Sequence, residues 1–168
     1  MVYKTIISVD DLKNNLNNDD FLIFDSRCDI KDSGYGIDSY TEGHIPNSIF
    51  VDVDTDLASE KRPGTGRHPL PDPNTFSEKL SHWGMSNNKQ VVVYDDAGGA
   101  FAGRLWWMLK WLGHEAVAVL DGGLNSWVKG GNKLVTTPTV FEKAHFEPRV
   151  QENMIATVED VEDCLLYT

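Results

Sequence analysis

The side chains best suited to do chemistry gather at three places. The stretch VVVYDDAGGAFAGR, residues 91–104, is an apolar strand followed by two carboxylates, paired glycines and the start of a helix. A loop of this kind turns backbone N–H groups and a helix N-terminus toward one point, where they stabilise negative charge and can activate a nucleophile. No nucleophile stands there, because Asp95 and Asp96 are themselves anions. The second place is FVDVDTDL, residues 50–57, in which Asp52, Asp54 and Asp56 alternate. The third is KRPGTGRHPLPDP, residues 61–73, where Arg67 and His68 sit in a run holding four of the seven prolines.

The acidic triplet resembles the first half of a calcium loop, but Leu57 stands where the sharp-turn glycine belongs and Pro63 where the bidentate glutamate belongs. With Asp95 and Asp96 after the later strand, Asp52 also resembles the nucleophile of a magnesium-dependent phosphatase of the haloacid dehalogenase type. Against that stand the missing Ser or Thr at an intervening strand end and the missing lysine for a phosphate. The plainer alternative is a strand end in which one carboxylate caps the next turn. The histidines, at 44, 68, 82, 114 and 145, show no ligand spacing, so neither a metal nor a cofactor is expected. His44 in EGHIPNS reads as a hydrogen-bonding structural residue, whereas His68 lies where a stiff loop can aim it at a neighbour. Neither Cys28 nor Cys164 is followed by a glycine-containing loop that opens a helix. They read as a strand-end thiol and a helix-face thiol, too far apart in sequence for a disulfide framework.

Such groups need a frame to hold them. FLIFD (21–25), SIFVDV (48–53), VVVY (91–94) and AVAVL (116–120) are nearly continuous apolar runs, the pattern of strands buried on both faces. Between them lie helical patterns: DDLKNNL after Ser8, TFSEKLSHWG after Asn74, FAGRLWWMLKWLG from Phe101 and LNSWVKGG from Leu124. Ser8 and Asn74 are expected as N-caps, and Gly84, Gly113 and Gly130 as stops. The tryptophans of LWWMLKWLG suit an apolar helix face against a sheet. The fold class is α/β, with a mostly parallel sheet flanked by helices on both faces.

One domain of ordinary size accounts for most of the 168 residues. A net charge of −11 and a pI near 4.7 oppose binding to nucleic acid or an anionic membrane, since either needs a basic face. No apolar run has the length of a membrane span and MVYKTIISVDD lacks the features of a leader, so a cytoplasmic location is expected. Residues 132–153 lose any clean period and carry Pro138 and Pro148, as a linker does. After them ATVEDVEDCLL (156–166) repeats the pattern of ISVDDLKNNL (7–16), with Ser8 and Thr157 each followed three positions on by an aspartate. The expected organisation is a domain over 1–136, a linker over 137–153, and over 154–168 the first helix of a truncated second copy. An isolated C-terminal helix packed on the domain is the alternative.

Residues 91–104 resemble the active-site region of the rhodanese superfamily, with Asp95 at the position of the sulfur-carrying cysteine. GHIPNSIFVDVD, GRHPLPDPNTF, VVVYDDAGG, GRLWWMLKWLG and VLDGGLNSW, in that order, resemble the N-terminal half of the tandem-domain thiosulfate and 3-mercaptopyruvate sulfurtransferases. The resemblance implies that only a C-terminal half carries the reactive cysteine. It implies an enzyme that moves sulfane sulfur from thiosulfate or 3-mercaptopyruvate to cyanide or thiols through a persulfide, and a chain inactive without that half. By motif position, Asp54 and His68 are implied as accessory catalytic residues that reach across the domain cleft, and Arg67 as an attractor of anionic substrate. Arg27, in Asp-Ser-Arg at 25–27, is implied to be structural. The implied partners are a small-molecule donor and acceptor and the second rhodanese domain, and the isolated chain could dimerise through its uncovered face. A noncatalytic binding module is the other reading.

Overall fold

The computed structural model describes residues 2–165. Leu166 to Thr168, the end of the expected second start, lie outside the described residues. Five strands form one sheet: β1 (Ile6–Ile7), β2 (Phe21–Asp25), β3 (Ser48–Phe50), β4 (Gln90–Tyr94) and β5 (Val117–Leu120). Their order is β1-β5-β4-β2-β3 and every pairing is parallel. Because side chains alternate along a strand, the apolar runs feed two cores at once. Leu22, Phe24, Val91, Val93 and Val117 face helices α3 (Pro73–His82) and α4 (Ala102–Trp111), meeting Phe76, Leu80, Leu105 and Met108. Ile23, Val92, Tyr94 and Ala118 face α1 (Val9–Asn14) and α5 (Gly123–Lys129), meeting Leu12, Leu124 and Trp127. Helix α2 (Tyr35–Glu42) joins β2 to β3, and α6 (Val158–Leu165) closes the described chain. Among the described residues, no helix is long and apolar enough to cross a membrane.

The structure moves several element boundaries. Strand β3 stops at Phe50 instead of reaching Val53, because it is the sheet edge and the Val51 N–H makes the last donation, to the Asp25 carbonyl at 2.9 Å. Val51 and Val53 remain buried beyond it. Helix α3 is capped by Asp72, not Asn74: Asp72 Oδ1 accepts from the N–H groups of Asn74 (3.0 Å) and Thr75 (2.9 Å). Pro73 fills the first helical position, where no donor is required. Gly84 and Gly113 terminate their helices at φ of 82° and 79°, whereas Gly130 sits at −73° and the left-handed turn falls on Gly131.

Residues 137–153 lie along the domain as an irregular strap. Phe146 is 2% exposed within the α3/α4 core. Backbone donations tie Ala144 to Ser81 (2.9 Å), Arg149 to Leu112 (2.8 Å) and Gln151 to Trp111 (2.8 Å). Beyond the strap, α6 has reciprocal capping: the Asp160 N–H donates to Thr157 Oγ1 (3.1 Å) and the Thr157 N–H to Asp160 Oδ2 (2.8 Å). At α1, the Asp11 N–H donates to Ser8 Oγ at 3.1 Å. The two helices differ in packing. Leu12 of α1 is fully buried, whereas α6 buries none of its residues.

Candidate functional site

At the C-terminal end of β4 the chain turns through Asp95, which is 1% exposed. Its Oδ1 accepts from the N–H groups of Ala97 (3.0 Å) and Gly99 (2.8 Å), and its Oδ2 from those of Phe101 (2.8 Å) and Ala102 (2.9 Å). Gly98 and Gly99, at φ of 70° and 92°, let the backbone wrap the carboxylate this closely. The carboxylate thus occupies the anion cradle, and it caps α4, whose own N-cap residue Phe101 offers no side-chain acceptor. An external anion finds these donors already used.

Asp96 points the other way. Its Oδ2 accepts from the Tyr35 hydroxyl at 2.5 Å, and its backbone oxygen accepts from Asn125 Nδ2 at 3.0 Å. That hydrogen bond, followed by burial, raises the Tyr35 pKa. Beside the pair an open cavity of about 430 Å³ is lined by Cys28, Lys31, Tyr35, Asp96 and Phe101, among others. Burial first, and then the carboxylates of Asp54, Asp52 and Asp29, push the Cys28 thiol up, with Arg67 opposing them. A thiol held protonated in this way is a poor nucleophile. Cys164 is exposed on α6.

The acidic triplet is a self-capped turn. Asp52 Oδ1 accepts from the N–H groups of Asp54 (2.8 Å) and Thr55 (2.9 Å), and Asp56 Oδ2 accepts from the Asp52 N–H (3.0 Å). Lys79 on α3 holds the turn through the Thr55 carbonyl and Asp56 Oδ1, both at 2.8 Å. Asp52 therefore serves as the turn acceptor that the plainer reading describes. Among the described residues no three His, Cys, Asp or Glu side chains converge to hold a metal ion.

The same turn leaves the Asp54 carboxylate directed outward, and the proline-rich excursion brings His68 to it, with Nε2 2.7 Å from Asp54 Oδ1. The side chains are 22% (His68) and 38% (Asp54) exposed. Since a carboxylate can only accept, the Nε2 proton is engaged and Nδ1 is left to exchange a proton with a third group. Arg67, exposed on the neighbouring residue, hooks back through Nη2 to the Ile30 carbonyl at 2.9 Å, at the rim of the cavity. Arg27 is far from solvent, forked onto Asp25 and the Gly43 carbonyl (2.8 Å). Burial disfavours its charge, but Asp25 outweighs burial and raises its pKa. The ring of His44 is likewise structural, lying 2.8 Å from the Tyr40 carbonyl and stacked on the Tyr40 ring. The sequence reading missed Tyr35 and Lys79; a tyrosine 61 positions from its carboxylate and a lysine on a remote helix leave no local spacing to read.

A parallel α/β sheet with helices on both faces, and a strand end whose loop cradles an anion at a helix start, define a rhodanese-type domain. The family model for the rhodanese-like domain matches residues 8–130, and the chain belongs to that family. It is 40% identical over 152 residues to a probable 3-mercaptopyruvate sulfurtransferase of Pseudomonas aeruginosa, covering 89% of this chain and 54% of that protein. It is 35% identical over 126 residues to the thiosulfate sulfurtransferase of Rattus norvegicus, covering 73% of this chain and 41% of that protein. The chain thus spans about half the length of the curated relatives it matches. Among solved structures, it superimposes on SseA of Escherichia coli, described with the 3-mercaptopyruvate sulfotransferases, with a TM-score of 0.82 at 27% identity, over 96% of this chain and 62% of that one. The 3-mercaptopyruvate sulfurtransferase from Leishmania major gives 0.79 at 30% identity, over 88% and 42%.

Proposed function

We propose that this chain is the noncatalytic N-terminal domain of a tandem sulfurtransferase. The whole protein would move sulfane sulfur from 3-mercaptopyruvate or thiosulfate to a thiol or cyanide through a cysteine persulfide in a second rhodanese domain. The observation that carries this reading is the Asp95 carboxylate, which fills the cradle where a persulfide would need the same four N–H donors. Two further observations support it. The relatives are sulfurtransferases about twice as long as this chain. Val158 and Val161 of α6 repeat the spacing of Val9 and Leu12, which pack in the α1 core, yet both are exposed. In this reading α6 opens the second domain and its apolar face packs there.

The contribution of this domain would be the Asp54–His68 pair, presented to the partner's active site as a proton relay, with Arg67 drawing anionic donors toward the cleft. Acid-base help needs a group within hydrogen-bond reach of the reacting proton, and the free Nδ1 of His68 supplies one once a second domain closes over it.

The test is the intact mass of this chain after incubation with 3-mercaptopyruvate or with thiosulfate, read beside thiocyanate formation in cyanide. The expected result is no adduct and no turnover from residues 1–168, and a cyanide-labile sulfur on a cysteine outside them in the longer protein. A cyanide-labile sulfur on Cys28 or Cys164 would overturn the assignment.

A further inference from the structure

The Asp54–His68 pair is built from two loops of different origin, and one side chain holds both. Arg104 lies in the first turn of α4, two residues after Ala102, whose N–H ends on Asp95. Its Nε and Nη2 donate to the Leu57 carbonyl at 3.1 and 2.7 Å, and Nη2 also donates to the His68 carbonyl at 2.9 Å. Leu57 ends the acidic turn three residues after Asp54, and its side chain is fully buried, so its carbonyl is a fixed point. The His68 carbonyl belongs to the excursion, whose residues 60–67 are all exposed and provide no core anchor of their own.

We propose that Arg104 is the positioning residue of the Asp54–His68 pair. Its guanidinium ties the histidine loop to the aspartate turn, and the Asp95 cap fixes the helix start from which it reaches. This rests on the reading that the pair assists sulfur transfer. It gives the cysteine-less loop a task, since the loop sets the start of the helix that carries Arg104.

The chemistry suits arginine specifically. A rigid fork reaches two carbonyls from different segments, which the single ammonium of lysine cannot do with the same geometry. Among the described residues Arg104 forms no ion pair, and burial pushes its pKa down. A half-buried charge paired only with neutral carbonyls is costly in pure stability terms, so its value lies in where it holds the backbone. The loops also meet through the Ser59 N–H and the Pro69 carbonyl at 2.9 Å. That bond keeps the excursion near the domain when the guanidinium is removed, so a variant loses orientation before it loses the fold.

The experiment is long-range proton–nitrogen NMR of the histidine rings in the 168-residue chain, comparing wild type with R104K, R104M and D54N. In wild type, His68 is expected with its proton fixed on Nε2. In R104M the ring should relax toward the mixed tautomers of a free imidazole, in R104K it should fall between, and the buried His44 and His114 should keep their wild-type signals. An unchanged His68 tautomer in R104M overturns the proposal. Should R104M fail to fold, R104K decides in the same way, because it retains the charge and loses the fork. In the full-length protein, R104M should lower kcat by up to about a hundredfold with KM little changed, as expected for a misplaced catalytic group. D54N turning over there at the wild-type rate would overturn the role of the pair, while the tautomer result for Arg104 would stand by itself.

Discussion

Tyr94 stands in register with Asp25 on the neighbouring strand, and its hydroxyl donates to Asp25 Oδ2 at 2.7 Å inside the sheet. The Tyr94 hydroxyl oxygen in turn accepts from the Ile45 N–H at 3.1 Å, and Arg27 forks onto both oxygens of Asp25. This network joins the ends of β2 and β4 just below the Asp95 cradle. Burial first, and then the Asp25 charge, raise the Tyr94 pKa well above its ordinary value.

An alkaline stability profile checks this. An unfolded tyrosine ionises near ~10, while folded Tyr94 keeps its proton to higher pH. The folded state then binds more protons, so stability is complete below that value and falls as pH rises through it. Tyr35 and Tyr40 are shifted in the same direction. Urea midpoints above neutrality should therefore fall more gently in Y94F than in wild type. At neutral pH, Y94F should cost about 1–3 kcal/mol, because it leaves the Ile45 N–H without its acceptor.

Asp95 should behave as a structural cap whose charge matters. D95N keeps the shape but offers one acceptor oxygen to four N–H donors. The expected loss is about 2–4 kcal/mol in urea unfolding. A D95N midpoint equal to wild type would mean that the loop donors are met by water instead.

His114 gives the acid side of the profile. Burial, chiefly, lowers its pKa, and its ring packs edge-on against Phe146. Below the ordinary histidine value near ~6.5 the unfolded chain takes up a proton that the folded ring resists. Stability from this group is therefore present above that value and lost as pH falls below it. H114Q should flatten the dependence between neutral and mildly acid pH, as read from thermal midpoints across buffers.

Two substitutions in the strap separate packing from tethering. F146A removes a ring that is 2% exposed and should cost about 3–5 kcal/mol. V140A, at a side chain 91% exposed, should leave the urea midpoint unchanged within error. Equal, negligible effects would show the strap to be detached in solution.

Elements with their own local signal were legible in the sequence. FLIFD and VVVY are apolar enough to announce strands buried on both faces, and they became β2 and, with Gln90 added at its start, β4. Strand β1, two residues long, is too short to carry a period. Helix α2 reads YGIDSYTE, with a glycine at its second position and no apolar stripe. It is held by contact, since a Cβ on Gly36 would lie 2.4 Å from the Arg27 carbonyl. The cap of α3 was misplaced by two residues because Asn74 and Asp72 are both competent caps, and only the position of Pro73 between them discriminates. At the site, Asp95 stood out because a carboxylate replaced the expected nucleophile. The meeting of Asp54 with His68 was implied by resemblance alone, since a proline-rich excursion has no period from which to compute where its tip returns.

The strap has a mechanical consequence for whatever α6 carries. The chain is anchored to the end of α4 at Gln151 and packs again through Met154, the Ile155 N–H donates to the Glu152 carbonyl at 3.3 Å, and Thr157 is engaged in the cap of α6, so the link between strap and helix is reduced to Ala156. A link this short makes a swivel of small radius with its pivot fixed on the domain surface. A body attached there sweeps a narrow arc instead of diffusing on a long leash. Its local concentration at this surface is thus set by the geometry of the hinge more than by the affinity of the faces that meet.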